Sequence, residues 1–260
     1  MDKERISTGF QTYSLAHRIE IFDEVSSTNS IAKELASQSD SDGLIIIAEK
    51  QTSGRGREQR FWHSPRGGLY LSIVITPSPN VKSYALYGLM MACVLHEAIK
   101  SMTGLQPHLK WPNDLLVNDQ KLCGILSELV SDEQGNAIRV VLGVGVNVNI
   151  RTKDFPIDLR GITTSILDET SSITQIEDLI VAIVSRLDRW LESDPALSKV
   201  QNVYMKLCKT LASKVCVDMK EKRICGMAKE INEYGMLLIE DESGHHHEIS
   251  AGDVRYVRSE

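Results

Sequence analysis

Two arginines stand in the glycine-hinged run Gln51-Thr52-Ser53-Gly54-Arg55-Gly56-Arg57, directly after an apolar segment. Each guanidinium is a rigid fork of donors that matches a carboxylate or a phosphate, and the glycines let the backbone close on a ligand and move as it arrives. The expected chemistry is anion binding by a mobile loop. Taken alone, the same run also fits a solvated turn carrying two charges. Lys121 follows the turn-forming pair Asn118-Asp119 and precedes Gly124, where a missing side chain lets ligand and backbone approach closely. By itself Lys121 reads more readily as an exposed hairpin lysine.

These groups need rigid supports, and the apolar patterning supplies them. Residues 44–50 read as a buried strand and 67–75 as another, so the basic loop is held between two strands. A first strand at 18–22 leads into Ser26-Ser27-Thr28-Asn29, whose hydroxyls and amide can cap a helix running to about residue 38, with Ile31, Ala32, Leu35 and Ala36 as its apolar stripe. A long core helix is expected at 83–102, from Leu86, Leu89, Met90, Val94 and Ile99. Short strands at 109–111 and 114–117, the Asn118-Asp119 turn, and strands at 121–130 and 138–150 make an antiparallel meander. Helices dominate 173–208, broken at Asp194-Pro195, and from residue 211 short alternating strands return as in a small barrel.

Four further motifs stand in order around the basic loop. Ser26-Ser27-Thr28-Asn29 precedes it; Lys110-Trp111-Pro112-Asn113-Asp114, Lys121-Leu122-Cys123-Gly124-Ile125-Leu126 and Gly143-Val144-Gly145-Val146-Asn147-Val148-Asn149 follow. Taken together, from about Ile19 to the C-terminus, the chain resembles the biotin protein ligase family. The resemblance implies an α+β fold: a mixed, largely antiparallel sheet with helices, of the class II synthetase-like biotin/lipoate ligase type, over residues 1–209. An SH3-like C-terminal barrel is expected over 210–260. Where the family's basic loop often continues with Arg-Gly, this chain has Glu58-Gln59, which bears on loop packing and kinetics.

The implied reaction is ATP-dependent activation of biotin as biotinyl-5'-AMP, followed by transfer to a lysine of a biotin carboxyl carrier protein. Bringing a carboxylate against the α-phosphate requires positive charge where negative charge develops. Arg55, Arg57, Lys121 and Mg2+ would supply it. The resemblance assigns Ser27, Thr28, Asn29, Gln51, Arg55, Gly56, Arg57, Lys121 and Gly124 to biotin and the adenylate. No enzyme nucleophile is needed, and a loop ordering over the intermediate would keep water out. Trp62 is expected to stack on adenine and Trp111 to be a core residue. Asp114, the one carboxylate in its motif, is nominated for proton handling or orientation of the acceptor lysine, with Mg2+ coordination as the rival role. Asn113 and Asn147 are candidates for ATP contacts, as is Asn149, or else strand-end polar groups.

Composition narrows the class. The chain has 260 residues, 42% hydrophobic and 25% charged, enough for one large unit and a small one. Its net charge of −6 argues against a surface built for nucleic acid or membranes. The polar start has no secretory core, no run approaches the roughly 20 apolar residues of a membrane span, and a cytoplasmic protein is expected. Five scattered cysteines signal neither a disulfide framework nor zinc and read as buried thiols. His245-His246-His247 would point alternately to opposite faces of a strand, against a metal site.

Two alternatives come from related chemistry. A lipoate-type ligase would carry Arg-Arg-x-x-Gly-Gly-Gly where Gly-Arg-Gly-Arg stands. A biotin-sensing co-repressor would add a helix-turn-helix unit, for which little chain precedes Ile19, so a monofunctional ligase, which can form a homodimer, is the expected form.

Overall fold

The computed structural model describes residues 1–10, 15–194, 196–219 and 222–257. Its elements are α1 (Lys3–Gly9), β1 (Arg18–Phe22), α2 (Thr28–Leu35), β2 (Leu44–Ala48), β3 (Leu69–Ile75), α3 (Ala85–Thr103), β4 (His108–Lys110), β5 (Asp114–Val117), β6 (Gln120–Ser131), β7 (Ala137–Val146), α4 (Ile166–Thr170), α5 (Ile176–Ser193), α6 (Val200–Leu207), β8 (Lys214–Asp218), β9 (Arg223–Ile231), β10 (Leu237–Glu240), β11 (His246–Ile249) and β12 (Asp253–Tyr256). Seven strands form one sheet in the order β1-β2-β3-β7-β6-β5-β4, and five form a second in the order β11-β10-β9-β8-β12. Among the described strands only β1 and β2 pair in parallel; the expected mixed, largely antiparallel sheet is present.

Period-two patterning splits the large sheet into two faces. Ile45 and Ile47, Leu71 and Ile73, Leu142 and Val144, and Cys123 and Ile125 point to the face covered by α3, on which α5 packs in turn. The opposite face carries Leu44, Ile46, Val74 and Val141 under α2, through Ala32 and Ala36. Further along that face side chains give way to glycine: Gly143 pairs with Ser72 and Leu126, and Gly145 with Tyr70 and Gly124. The sheet surface there is nearly bare backbone, and this is where the site forms.

The small sheet is not detached from the large one. Val215, Ile231, Leu237 and Ile239 join the same apolar cluster as Leu86 and Leu89 of α3. The Trp111 indole, 1% exposed, donates to Gly235 O at 3.0 Å. Trp111 therefore is core, as expected, although it lies in the turn after β4 rather than in a strand.

Several expectations change. Ser27 is the N-cap of α2, but its side chain makes no capping bond, and Thr28 and Asn29 beside it serve tertiary partners described below. Helix α1 was not foreseen from its charged sequence; Asp2 caps it and Ile6 alone is buried. Helix α5 ends at Ser193, and Pro195 lies outside the described residues, as do 258–260 of the expected C-terminal unit. Of the five cysteines, Cys93, Cys123 and Cys208 are buried thiols, but Cys216 and Cys225 form a disulfide. They stand directly opposite each other across β8 and β9, a proximity that sequence spacing does not reveal. No helix among the described residues is long and apolar enough to cross a membrane.

Candidate active site

The basic run is an ordered hairpin in this structure. Trp62 N donates to Gly54 O at 2.8 Å, Gly56 N to Arg60 O at 2.7 Å, and Arg55 bridges Phe61. Gly54 is required because a Cβ there would overlap Ser64 Oγ and the Trp62 carbonyl. The tip turns through Glu58 and Gln59, both left-handed at φ 53° and 60°, where glycine is the less strained choice.

The hairpin folds over the glycine floor and encloses a cavity of about 340 Å3. Trp62 lies on that floor: a methyl on Gly145 would stand 2.6 Å from its Cε2 and one on Gly124 3.1 Å from its Cζ3. Lys121 Nζ sits 5.2 Å from the indole centroid, a cation–π distance. The indole Nε1–H is buried with no hydrogen-bond partner, a donor available to a ligand. Stacking on adenine, the expected role of Trp62, requires this ring to exchange its present neighbours for the base.

Lys121 is held by its backbone. Its N–H donates to Ile162 O and its carbonyl accepts from Thr164 N, each at 2.9 Å. Its ammonium lies 2.7 Å from Asp114 Oδ1, an ion pair by distance, although that buried oxygen accepts no hydrogen bond. Asp114 opposes Lys110 across β4 and β5. Burial, and secondarily the Lys121 charge, hold Lys110 below the usual lysine range against the pull of Asp114.

Arg57 Nη1 donates to Asn113 Oδ1 at 3.2 Å and to Gly252 O at 3.4 Å. Burial pulls its pKa down, opposed by Glu58 and Asp114; a guanidinium remains charged regardless. Asn113 is itself fixed by donating to Ile125 O at 2.9 Å. Asn147, also at the wall, donates to Thr164 O at 2.9 Å and so braces the segment that clasps Lys121. Asn149 is spent on Thr174, the structural alternative.

Gln51 knits the two sides of the site. Its Oε1 accepts from Thr28 N at 2.9 Å and Thr28 Oγ1 at 3.2 Å, and its Nε2 donates to Ser64 Oγ at 2.9 Å. Asn29 fits only because residue 143 is glycine, where a Cβ would overlap its amide. Of the residues nominated from sequence for ligand contact, all but Asn149 line this one cavity: Ser27, Thr28, Asn29, Gln51, Arg55, Gly56, Arg57, Trp62, Asn113, Asp114, Lys121, Gly124 and Asn147.

Other wall residues escaped sequence reading. Asp253 of β12 lines the cavity and pairs with Arg60 of the hairpin, so the small sheet is not remote from the site. Phe155 meets His63 edge-on, ring centroids 5.2 Å apart, and burial keeps His63 below its ordinary pKa. Leu159, Ile162 and Thr163 complete the wall. An ordinary polar loop sequence gives no signal for these, since the bridge between Lys121 and Thr163 is a tertiary event. The histidine run is used locally, with His247 Nε2 2.7 Å from Asp241 Oδ2, and no group of three metal-ligating side chains occurs among the described residues.

Comparisons with known proteins agree with this geometry. The profile of the biotin/lipoate A/B protein ligase family matches residues 21–147. The bifunctional ligase/repressor BirA of Bacillus subtilis is 35% identical over 167 residues, which cover 64% of this chain and 51% of that protein, so the chain spans about half of that relative's length. The biotin--[acetyl-CoA-carboxylase] ligase of Mycobacterium tuberculosis is 30% identical over 252 residues, covering 93% of this chain and 90% of that one. A biotin protein ligase from Aquifex aeolicus, solved in complex with biotin and ATP, superposes with a TM-score of 0.80 at 27% identity, covering 94% of this chain and all of that one. With the fold, the glycine floor and the ordered motifs in place, the chain belongs to the biotin/lipoate protein ligase family.

Proposed function

We propose that the protein activates biotin with ATP to biotinyl-5'-AMP and transfers the biotinyl group to a lysine of a biotin carboxyl carrier protein. The observation that carries this reading is the convergence of Arg57, Lys121 and the unpartnered Trp62 N–H on one glycine-floored cavity beside Thr28, Asn29 and Gln51. The similar Aquifex aeolicus enzyme holds biotin and ATP. In the first step a carboxylate oxygen attacks the α-phosphorus and pyrophosphate leaves. Arg57 and Lys121 offset the charge gathering on the phosphoryl oxygens. In the second, the acceptor amine attacks the acyl carbon and AMP leaves.

Asp114 has two tasks in this scheme. It orients Lys121, and it offers an anion to the acceptor ammonium, which must lose a proton before it attacks. Asp114 and Asp253 are the carboxylates of the wall. Two carboxylates suit Mg2+, which keeps several waters and rides on phosphates, and when bound it would neutralise phosphate charge. Asn113 holds Arg57, and Asn147 holds the Lys121 clasp. Residues 1–209 form the catalytic unit, and 210–260 a small accessory unit that meets the hairpin through Gly252 and Asp253. The protein acts in the cytoplasm.

The test is pyrophosphate release that depends on both biotin and ATP, followed by transfer of labelled biotin to an added carrier domain. Lipoate replacing biotin at equal efficiency would refute the substrate assignment. Pyrophosphate release without transfer to any carrier would refute the second step.

A further inference from the structure

Arg55 and Arg57 are separated by one glycine, yet they are held by different partners. Arg57 is turned to Asn113 and Gly252. Arg55 Nη2 is instead 3.3 Å from Oε1 of Glu128, two residues beyond Leu126, where β6 last lines the cavity. No sequence motif marks Glu128. Its side chain is 16% exposed and is gripped on both oxygens: Lys33 Nζ lies 2.9 Å from Oε1, and Asn29 Nδ2 donates to Oε2 at 3.0 Å.

A buried polar chain continues from there. Ser72 Oγ lies 2.6 Å from Asn29 Oδ1 and 2.8 Å from Thr28 Oγ1. Thr28 leads to Gln51, Gln51 Nε2 to Ser64 Oγ, and Ser64 Oγ donates to Trp62 O at 2.8 Å. Both stems of the hairpin, at Arg55 and at Trp62, thus end on one network anchored by Glu128. Burial pushes the Glu128 carboxyl up, and the bonds from Lys33 and Asn29 with the charges of Lys33 and Arg55 more than reverse this, so the anchor is an anion.

We propose that Glu128 is a positioning residue that tethers Arg55, and that Arg55 fixes the hairpin backbone over the cavity while the ligand's anionic group is left to Arg57 and Lys121. The inference rests on the proposed ligase reading for what the cavity binds. It separates two arginines that look equivalent in sequence. A tether acts through the position of the hairpin, so its loss weakens retention of biotin and the adenylate without removing charge from the transition state.

The experiment compares Glu128→Gln, Arg55→Gln and the double variant, with Lys33→Met as a control that shares the carboxylate but does not touch the hairpin. Glu128→Gln and Arg55→Gln each raise the KM for biotin and the adenylate off-rate about three- to fivefold, and the double variant is no worse than either, because both break one link. The kcat for pyrophosphate release at saturating substrates stays within about twofold. Limited trypsin digestion of the ligand-free protein reads the tether independently of activity: Glu128→Gln accelerates cleavage after Arg57 and Arg60, and Lys33→Met does not. If Arg55→Gln loses far more than Glu128→Gln and the effects multiply, Arg55 touches the anion directly and the proposal is overturned. Unchanged trypsin protection in Glu128→Gln overturns it too, whereas absence of biotin-dependent pyrophosphate release in the wild type would count against the ligase reading alone.

Discussion

Replacing Lys121 by Met keeps the length of the stem and deletes one charge. The strand does not depend on that charge, since the Lys121 backbone is clasped by Ile162 and Thr164 at 2.9 Å on each side. The ammonium is held 2.7 Å from Asp114 and above the Trp62 ring, with 30% of the side chain exposed. A unit charge about 4 Å from the developing phosphoryl charge, at an effective dielectric near 20, interacts by about 4 kcal/mol. Arg57 on the same wall replaces part of that, so about 3 kcal/mol is lost, a slowing of roughly 100- to 1,000-fold. Stability changes by no more than about 1 kcal/mol, because a partly exposed pair contributes little. Pyrophosphate release at saturating biotin and ATP measures the first quantity and thermal unfolding the second. A variant with the wild-type rate, or one whose slowing is matched by loss of the folded fraction, would refute the electrostatic role.

Gly145→Ala should weaken biotin binding more than Gly124→Ala, because its methyl would stand 2.6 Å from indole Cε2 and closer still to Nε1, against 3.1 Å from Cζ3 for Gly124, an overpacking cost of about 1–3 kcal/mol; equal affinities by calorimetry would contradict the floor. The Glu128 carboxyl titrates below its ordinary value when folded. Its contribution to stability is therefore complete above the ordinary carboxylate range and is lost as pH falls through the lower folded value. Glu128→Gln should flatten the acid limb of the Tm–pH profile, and an unchanged limb would sink this. Denatured but unreduced protein should titrate three thiols, with two more appearing on reduction; five at once would exclude the Cys216–Cys225 bond. Asp253→Ala should accelerate trypsin cleavage at the hairpin tip by freeing Arg60, and unaltered protection would show that β12 does not brace it.

The basic loop and the flanking strands could be read directly because each depends on local chemistry. Gly143 and Gly145 fall on one face through strand periodicity alone, Arg55 and Arg57 stood out as charges beside glycine, and Lys121 as a charge between a turn and Gly124. Ordered motifs then named the family. Sequence could not say that Thr28 and Asn29 are used for tertiary bonds rather than capping, since a polar side chain at a helix start serves either purpose. Nor could it separate Arg55 from Arg57, because their distinction lies in Glu128 and Asn113, 73 and 56 residues away along the chain. The disulfide, the contribution of Asp253 and the wall at Phe155 and Leu159 have the same cause. Local residue types decide which groups are able to act, but long-range strand register and packing decide which of them meet, and only the folded chain fixes that.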